Sequence, residues 1–149
     1  MATAKESQSC VFCKIVTRED KETRILYEDE DYVCFRDIKP AAKHHYLVIP
    51  KKHLPGVKHL DDTHIPIIEN MVEIGLSLLE GQGGTKDDVR TGFHWPPFTS
   101  VNHLHLHVIS PTSSLGFFSR NVMYKPDSWA FATSEWAVNY LKGKPHVNS

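Results

Sequence analysis

The sequence predicts a single domain that mixes α-helix and β-strand, and three observations support this. At 149 residues, the chain is long enough for one domain with a substantial core. Short runs rich in β-branched and aromatic residues alternate with turn residues, as is typical of antiparallel strands. One stretch, from Asp61 or Asp62 to Glu80, places apolar residues at steps of three and four, which predicts one long amphipathic helix.

Composition limits the compartment and the classes of partner. The chain has 17 Lys+Arg against 18 Asp+Glu and no long block of like charge, so we expect neither nucleic acid nor an anionic membrane surface as a partner. Residues 1–9 are polar and are expected to form a flexible tail, and no run of apolar residues is long enough to span a membrane. The three cysteines favour a reducing compartment over a disulfide framework, so we expect a cytoplasmic protein, with the nucleus as a second location.

The first half of the chain predicts a short helix followed by three strands. Residues 10–16 are mostly apolar and long enough for about two helical turns. Residues 24–28 and 32–37 read as a hairpin around the acidic turn 29–31. A third strand, residues 45–50, ends at a proline, which cannot continue a ladder. Strands joined by such short connections form an antiparallel meander.

The second half adds the long helix, a fourth strand and the stretch that carries the histidines. The helix has acidic residues and Thr63 at its start, keeps Pro66 in its first turn and is followed by glycines. Residues 89–93 predict the fourth strand, and residues 94–100 a loop. Two further elements are expected near the carboxyl end, a strand over 128–132 and a capped helix over 134–142. No repeat or linker interrupts the chain, so residues 10–149 are expected to form one domain, with 111–149 as its C-terminal extension.

The most informative stretch alternates three histidines, His103, His105 and His107, with apolar residues. In an extended strand these histidines share one face, with neighbours about 6.6 Å apart, while the apolar residues share the other face. A single histidine on a strand is usually structural. Three on one face are different, because burying them without partners costs several kcal/mol. The pattern itself leaves two chemistries open, a metal site and reactions at phosphorus.

Cys10 and Cys13 form a Cys-x-x-Cys pair with more than one interpretation. As half of a metal site, the pair requires two further ligands from elsewhere in the chain. As a redox pair it would be preceded by a thioredoxin-like strand, which the sequence lacks. Two cysteines that only pack in the core remain an alternative.

Three separated motifs resemble the Hint-type nucleotide-binding branch of the histidine triad superfamily. They are His-Leu-His-Leu-His-Val at 103–108, Phe-Arg-Asp-Ile-Lys-Pro at 35–40 and His-Tyr-Leu-Val-Ile-Pro-Lys-Lys-His at 45–53. The resemblance covers about residues 10 to 110. It implies an α+β histidine triad fold, with an antiparallel sheet of about five strands, one long helix and a homodimer or larger homo-oligomer that joins two sheets.

The resemblance also implies an activity. The branch hydrolyses the P–N bond of nucleoside 5′-phosphoramidates, such as those of adenosine, to the nucleoside monophosphate and an amine. His105 matches the nucleophile that forms a covalent nucleotidyl-histidine, a role that suits neutral imidazole near pH 7. His45 and His107 match histidines that contact the phosphate, and Ser100 matches a serine that hydrogen-bonds the departing amine. With His103, the first histidine of the triad, these residues form the expected catalytic set.

The nucleotide and metal sites are assigned in the same way. Asp37 and Ile38 match the residues that hold the ribose and cover the base of a purine nucleotide, and Phe12, Ile15 and Phe35 match further base-pocket positions, although ordinary core packing explains those three equally well. The positions that hold a structural zinc in some bacterial relatives are matched by Cys10, Cys13, His53 and His103, which form a sound tetrahedral set. Such a zinc would pin the amino-terminal segment to the sheet, and catalysis itself requires no cofactor.

The sequence departs from the branch at positions near the leaving group, which leaves the identity of that group open. Residues 96–99 replace the branch's usual Gly- and Gln-containing approach to the triad, and Asn102 stands where several relatives carry an aromatic residue. Two other functions therefore remain open. One is hydrolysis of dinucleoside polyphosphates or adenylylated substrates by the same nucleophile, and the other is nucleotide binding without catalysis.

Overall fold

The structure is a computed structural model that describes residues 9–146. Residues 1–8, which make up most of the expected flexible tail, lie outside the described residues, as do the last three of the chain. Within residues 9–146, no helix is long and apolar enough to cross a membrane.

The centre of the fold is a six-stranded sheet in the order β1-β2-β3-β5-β4-β6, in which every neighbouring pair is antiparallel. The strands are β1 (Ile25–Glu28), β2 (Tyr32–Arg36), β3 (His44–Pro50), β4 (Arg90–His94), β5 (Leu106–Ser110) and β6 (Phe131–Thr133). The predicted α+β class and the meander β1-β2-β3 are confirmed. The sixth strand lies a few residues later than expected and pairs with the outer edge of β4.

Between residues 9 and 146, three α-helices accompany the sheet: α1 (Val11–Val16), α2 (Ile65–Gly81) and α3 (Ser134–Lys142). The long helix α2 begins later than predicted because a 3-10 turn over Asp62–His64, capped by the Asp61 side chain, precedes it. Helix α3 matches its prediction. The Thr133 hydroxyl caps it by accepting from the backbone N–H of Trp136 at 3.3 Å.

Helices α2 and α3 cover one face of the sheet. Ile68 and Met71 of α2 pack with Val48 of β3 and Val108 of β5 in the main hydrophobic core. Gly75 lets α2 approach closely, since a Cβ there would lie 2.6 Å from Cγ2 of Val108.

The opposite face of the sheet carries two smaller clusters with the histidines between them. Phe12 and Ile15 of α1 pack on Leu47 and the residues around it. The second cluster joins Ile109, Leu115, Tyr124 and Phe131, so the C-terminal extension covers this part of the sheet. Apolar side chains therefore lie on both sides of the buried histidines on this face.

The histidine stretch is not one continuous strand, which corrects the prediction for its first half. Only Leu106 onward belongs to β5, whereas His103 lies in a bend and His105 in a segment without regular secondary structure before it. The side-chain alternation persists nevertheless, because Leu104 and Leu106 enter the helix-side core while His103 and His105 are buried on the other side. Because of the bend, the side chain of His103 lies in a different group of side chains from those of His105 and His107.

Candidate active site

His105 is held as a neutral imidazole with one nitrogen left reactive. Its Nδ1–H donates to the backbone oxygen of His103 at 2.7 Å, because a carbonyl oxygen can only accept. Burial lowers the pKa of His105, so the ring is neutral at pH 7. The proton therefore resides on Nδ1, and Nε2 keeps the lone pair that a nucleophile requires.

A chain of two hydrogen bonds, separate from that of His105, fixes the tautomers of His45 and His107. The backbone N–H of Ala41 donates to Nδ1 of His45 at 2.9 Å, which places the proton of neutral His45 on Nε2. That Nε2–H donates to Nδ1 of His107, also at 2.9 Å. The proton of His107 is therefore on Nε2, the one buried side-chain N or O atom in residues 9–146 without a hydrogen-bond partner. A buried unpaired donor of this kind is ready for an acceptor on a ligand.

Desolvation keeps the imidazole rings of His45 and His107 neutral. Burial lowers the pKa of His45 to about 3, and it lowers the pKa of His107 well below the ordinary value. His45 is fully buried behind His107. His45 therefore acts on the site through His107.

Asp37 lies beside this pair of histidines. Its Oδ1 accepts from the backbone N–H of Lys39 at 2.8 Å, and its Oδ2 lies 3.4 Å from Nε2 of His45. Nε2 of His45 lies closer to Nδ1 of His107, at 2.9 Å, than to Asp37, so the His45 N–H donates to His107. Burial raises the pKa of Asp37, an effect that the hydrogen bond from the backbone N–H of Lys39 opposes.

The residues predicted to bind nucleotide meet in one cleft of about 360 Å³. Its lining includes eight predicted site residues: Phe12, Ile15, Phe35, Asp37, Ile38, Ser100, His105 and His107. The Phe12 ring lies 5.1 Å from the His105 ring and 5.6 Å from the Phe35 ring, so it contributes both to the core and to the cleft wall. Ile38 is 95% exposed at the rim, and Ser100 is exposed as well.

The four predicted zinc ligands form a separate cluster. The ligand atoms of Cys10, Cys13, His53 and His103 all lie within 4.8 Å of one another. Tetrahedral zinc with bonds of about 2.3 Å to sulfur and 2.0 Å to nitrogen places S and N ligands roughly 3.5 Å apart. The Cys10 and Cys13 sulfurs lie 3.4 and 3.5 Å from Nδ1 of His103, and the Cys13 sulfur lies 3.1 Å from Nδ1 of His53.

Hydrogen bonding supports the fit of this set to a metal. Nε2–H of His103 donates to the backbone oxygen of Pro50 at 2.9 Å, which leaves the Nδ1 lone pair directed at the sulfurs. A second group of possible ligands, Asp37, His45 and His107, fits less well. Both nitrogens of His45 are already used, one by Ala41 and the other by His107.

Sequence reasoning missed two residues of the site. His94 was predicted to lie in a loop, but it is the last residue of β4, and its ring lies 4.7 Å from the His107 ring. Its Nε2–H donates to the backbone oxygen of Met123 at 2.9 Å. Tyr124 packs its ring 5.5 Å from both His45 and His107. Alternation along β4 would have placed His94 on the face of Gly92, the partner of His107, whereas no local pattern indicates Tyr124.

The chain is similar to known proteins over most of its length. A family model described as "Scavenger mRNA decapping enzyme C-term binding" matches residues 9–123. The protein named adenosine 5′-monophosphoramidase HINT3 of Xenopus tropicalis is 45% identical over 135 residues, covering 90% of this chain and 88% of the relative. The protein of the same name from Mus musculus is 46% identical over 136 residues, covering 90% of this chain and 82% of the relative.

A solved structure gives the same result for the fold. A HIT family hydrolase from Clostridium thermocellum is 34% identical, with a TM-score of 0.63, and the match covers 68% of this chain and 90% of the other. The family model spans more than half of the sequence, and the relatives match nearly all of it. The chain therefore belongs to the histidine triad family.

Proposed function

We propose that this protein is an adenosine 5′-phosphoramidase, which hydrolyses the P–N bond of its substrate to AMP and an amine. One observation carries the proposal: the free Nε2 of His105 and the unpartnered Nε2–H of His107 belong to residues that line the same cleft. The first is a nucleophile, and the second is a donor for a phosphate oxygen. The names of the relatives from Xenopus tropicalis and Mus musculus support this substrate class.

The reaction proceeds in two displacements. In the first, the Nε2 lone pair of His105 attacks the α-phosphorus, the bonding pair of the P–N bond returns to the amine nitrogen, and the amine leaves with a proton from a water molecule, which becomes hydroxide. In the second, that hydroxide attacks the phosphorus of the nucleotidyl-histidine, the bond from phosphorus to His105 breaks, and AMP departs with the neutral imidazole restored. The sum consumes one water and yields one AMP and one amine. Two easier steps replace one difficult step.

The remaining residues bind and orient the nucleotide. Nε2–H of His107 donates to a phosphate oxygen, and His45 holds His107 in the tautomer that makes this possible. The Asp37 carboxylate accepts hydrogen bonds from the ribose hydroxyls. Phe12 and Phe35 supply the apolar wall for a purine, and the exposed Ile38 covers it.

The proposal includes a structural zinc held by Cys10, Cys13, His53 and His103. When bound, the ion supplies cross-linking of the amino-terminal segment to the sheet. Helix α1 has six residues, too few to be stable alone, so its position depends on such tertiary anchors. His103 donates only its Nδ1 to this set, so His105 and His107 remain available to phosphate.

A homodimer is part of the same proposal, since the resemblance implies one that joins two sheets. Phe117, Phe118 and Trp129 are large apolar residues exposed on the C-terminal extension, and exposed apolar groups are common at subunit contacts. Light scattering coupled to gel filtration measures the mass, and a monomeric mass at micromolar concentration would contradict this part.

The test is release of AMP from adenosine 5′-phosphoramidate by the wild-type protein, by His105→Ala and by a matched control, His59→Ala. His59 is an exposed histidine in a 3-10 turn outside the cleft. We expect turnover by wild type and by His59→Ala, with a loss of at least about 1000-fold in His105→Ala, because the nucleophile is gone.

A diadenosine polyphosphate assayed in parallel separates the alternatives. Release of AMP from that compound alone would replace the phosphoramidase by a polyphosphate hydrolase. Tight binding of AMP without turnover of either compound would leave a nucleotide-binding protein.

A further inference from the structure

The C-terminal extension brings one tyrosine, Tyr124, onto the buried histidines, and side chains of β4 hold its backbone there. Nε2–H of His94 donates to the backbone oxygen of Met123 at 2.9 Å. Nη1–H of Arg90 donates to the next backbone oxygen, that of Tyr124, at 2.8 Å. Both donors belong to β4, which pairs with β5, so the position of Tyr124 is fixed relative to His107.

The Tyr124 ring packs against both histidines of the hydrogen-bonded pair. Its centroid lies 5.5 Å from the centroid of the His45 ring, with 84° between the ring planes. The His107 ring is also 5.5 Å away, with 65° between the planes. Tyr124 is only 8% exposed. Phenylalanine would pack equally well here, as Phe131 does in the same cluster, so packing alone does not account for the hydroxyl.

The Tyr124 hydroxyl forms no hydrogen bond with another of residues 9–146. Burial raises the pKa of this phenol, and the negative charge of the nearby Asp37 raises it further, so the group is protonated at pH 7 and can donate. A buried tyrosine O–H usually has a partner. The ring beside it carries the unpartnered Nε2–H of His107. Two neighbouring donors without acceptors indicate a ligand that supplies the acceptors.

We propose that Tyr124 is a phosphate-binding residue, whose hydroxyl donates to a non-bridging oxygen of the nucleotide α-phosphate beside His107. The proposal rests on the phosphoramidase function above, in which the phosphate lies at His105 and His107. The rings of those two histidines are 5.2 Å apart. A phosphate carries several acceptor oxygens, and a hydrogen bond to a charged oxygen is stronger than one between neutral groups. The extension thereby contributes a ligand-binding group to the site.

The experiment compares the affinities of AMP and adenosine, which differ only in the phosphate, for wild type and for Tyr124→Phe. Phenylalanine keeps the ring on both histidines and removes only the hydroxyl. Calorimetry at pH 7 gives the two dissociation constants, and the readout is the ratio of the adenosine constant to the AMP constant within one protein. We expect this ratio to fall about tenfold in Tyr124→Phe, with the adenosine affinity unchanged. The value of kcat/KM for adenosine 5′-phosphoramidate should fall by a similar factor.

Tyr140→Phe is the matched control, because Tyr140 lies on α3 with its ring stacked 5.2 Å from that of Trp136. It should keep the wild-type ratio. An unchanged ratio in Tyr124→Phe would overturn the phosphate contact, whether both affinities stay the same or both fall equally, as a structural role or a contact to the nucleoside requires. Wild type that binds AMP no more tightly than adenosine would overturn it as well.

The same variants separate this contact from the reaction itself. Failure of the wild type to release AMP from adenosine 5′-phosphoramidate would overturn the phosphoramidase. A ratio that still falls in Tyr124→Phe would, in that case, support the contact between Tyr124 and phosphate in a protein that only binds the nucleotide.

Discussion

The buried histidine pair predicts a specific loss of stability on acidification, and replacement of His45 by Gln isolates it. His45 carries no charge in the fold, because burial lowers its pKa from 6.5 to about 3. In the unfolded chain, its pKa returns to the ordinary value. Between these two values the unfolded state binds more protons than the folded state, so the stability contributed by His45 is complete above pH 6.5 and is lost as the pH falls.

The size of the effect follows from the two pKa values. At pH 5, proton uptake by the unfolded state favours unfolding by about 2 kcal/mol for this one residue, whereas at pH 7 the effect is about 0.2 kcal/mol. Gln has no proton to gain in this range, yet its amide can still donate to Nδ1 of His107. We therefore expect wild type to lose about 2 kcal/mol more than His45→Gln between pH 7 and pH 5.

Urea unfolding followed by tryptophan fluorescence, at both pH values and for both proteins, measures this difference. His146→Gln is the control with the opposite sign, because the hydrogen bond to Asp62 raises the pKa of the exposed His146. Its contribution is present at low pH and is lost as the pH rises. Equal losses in wild type and His45→Gln would refute the neutral, desolvated state assigned to His45.

Three further predictions concern the metal cluster, the sheet edge and the ribose contact. Removal of the proposed zinc should weaken AMP binding about tenfold, since α1 carries Phe12 of the cleft, and AMP should protect the zinc from a chelator by the same factor. Calorimetry measures the AMP affinity, and chelator competition measures the protection of the metal. Equal AMP affinities with and without zinc would contradict this coupling between the metal and the cleft. Gly92→Ala should lower the free energy of unfolding in urea by about 1–3 kcal/mol, because its Cβ would lie 2.3 Å from the Ala132 oxygen. Gly116→Ala is the control and should change stability little, because its Cβ would have nothing within 4 Å. Similar stabilities for the two variants would argue against close pairing of β4 and β6. Asp37→Asn should raise KM about tenfold with little change in kcat, and a fall in kcat alone would mean that Asp37 acts on the histidines instead.

Much of the fold followed from local pattern. The hairpin, the third strand and helix α3 lie within a few residues of their predicted bounds, because turn residues, prolines and caps act over short distances in the chain. Helix α2 begins later than predicted because the Asp61 side chain caps the 3-10 turn at Asp62–His64, which precedes the helix. The strand near the carboxyl end moved to Phe131–Thr133, where it pairs with β4.

Some residues of the site also followed from local pattern, whereas others depended on tertiary contacts. The main histidines were predicted because they alternate along one stretch, and the proposed zinc ligands because a Cys-x-x-Cys pair and two histidines matched a known pattern; the structure brings the members of each group close together. His94 was missed because its role depends on the pairing of β4 with β5. Tyr124 was missed because it reaches the histidines from an irregular segment of the extension.

By itself, the sequence determined which side chains are available and which of them face the same way: the alternation of histidines with Leu104, Leu106 and Val108 separates a chemical face from a packing face even where the ladder is interrupted. Only the tertiary structure decided the protonation states. The lone pair of His105 depends on the His103 carbonyl, and the free donor of His107 depends on a chain that begins at the Ala41 N–H. Tautomers are set by hydrogen bonds and desolvation. The contacts from Ala41 to His45 and from His105 to His103 join residues close in the sequence, but the contact between His45 and His107, and the burial that keeps all three rings neutral, arise only when distant segments fold together.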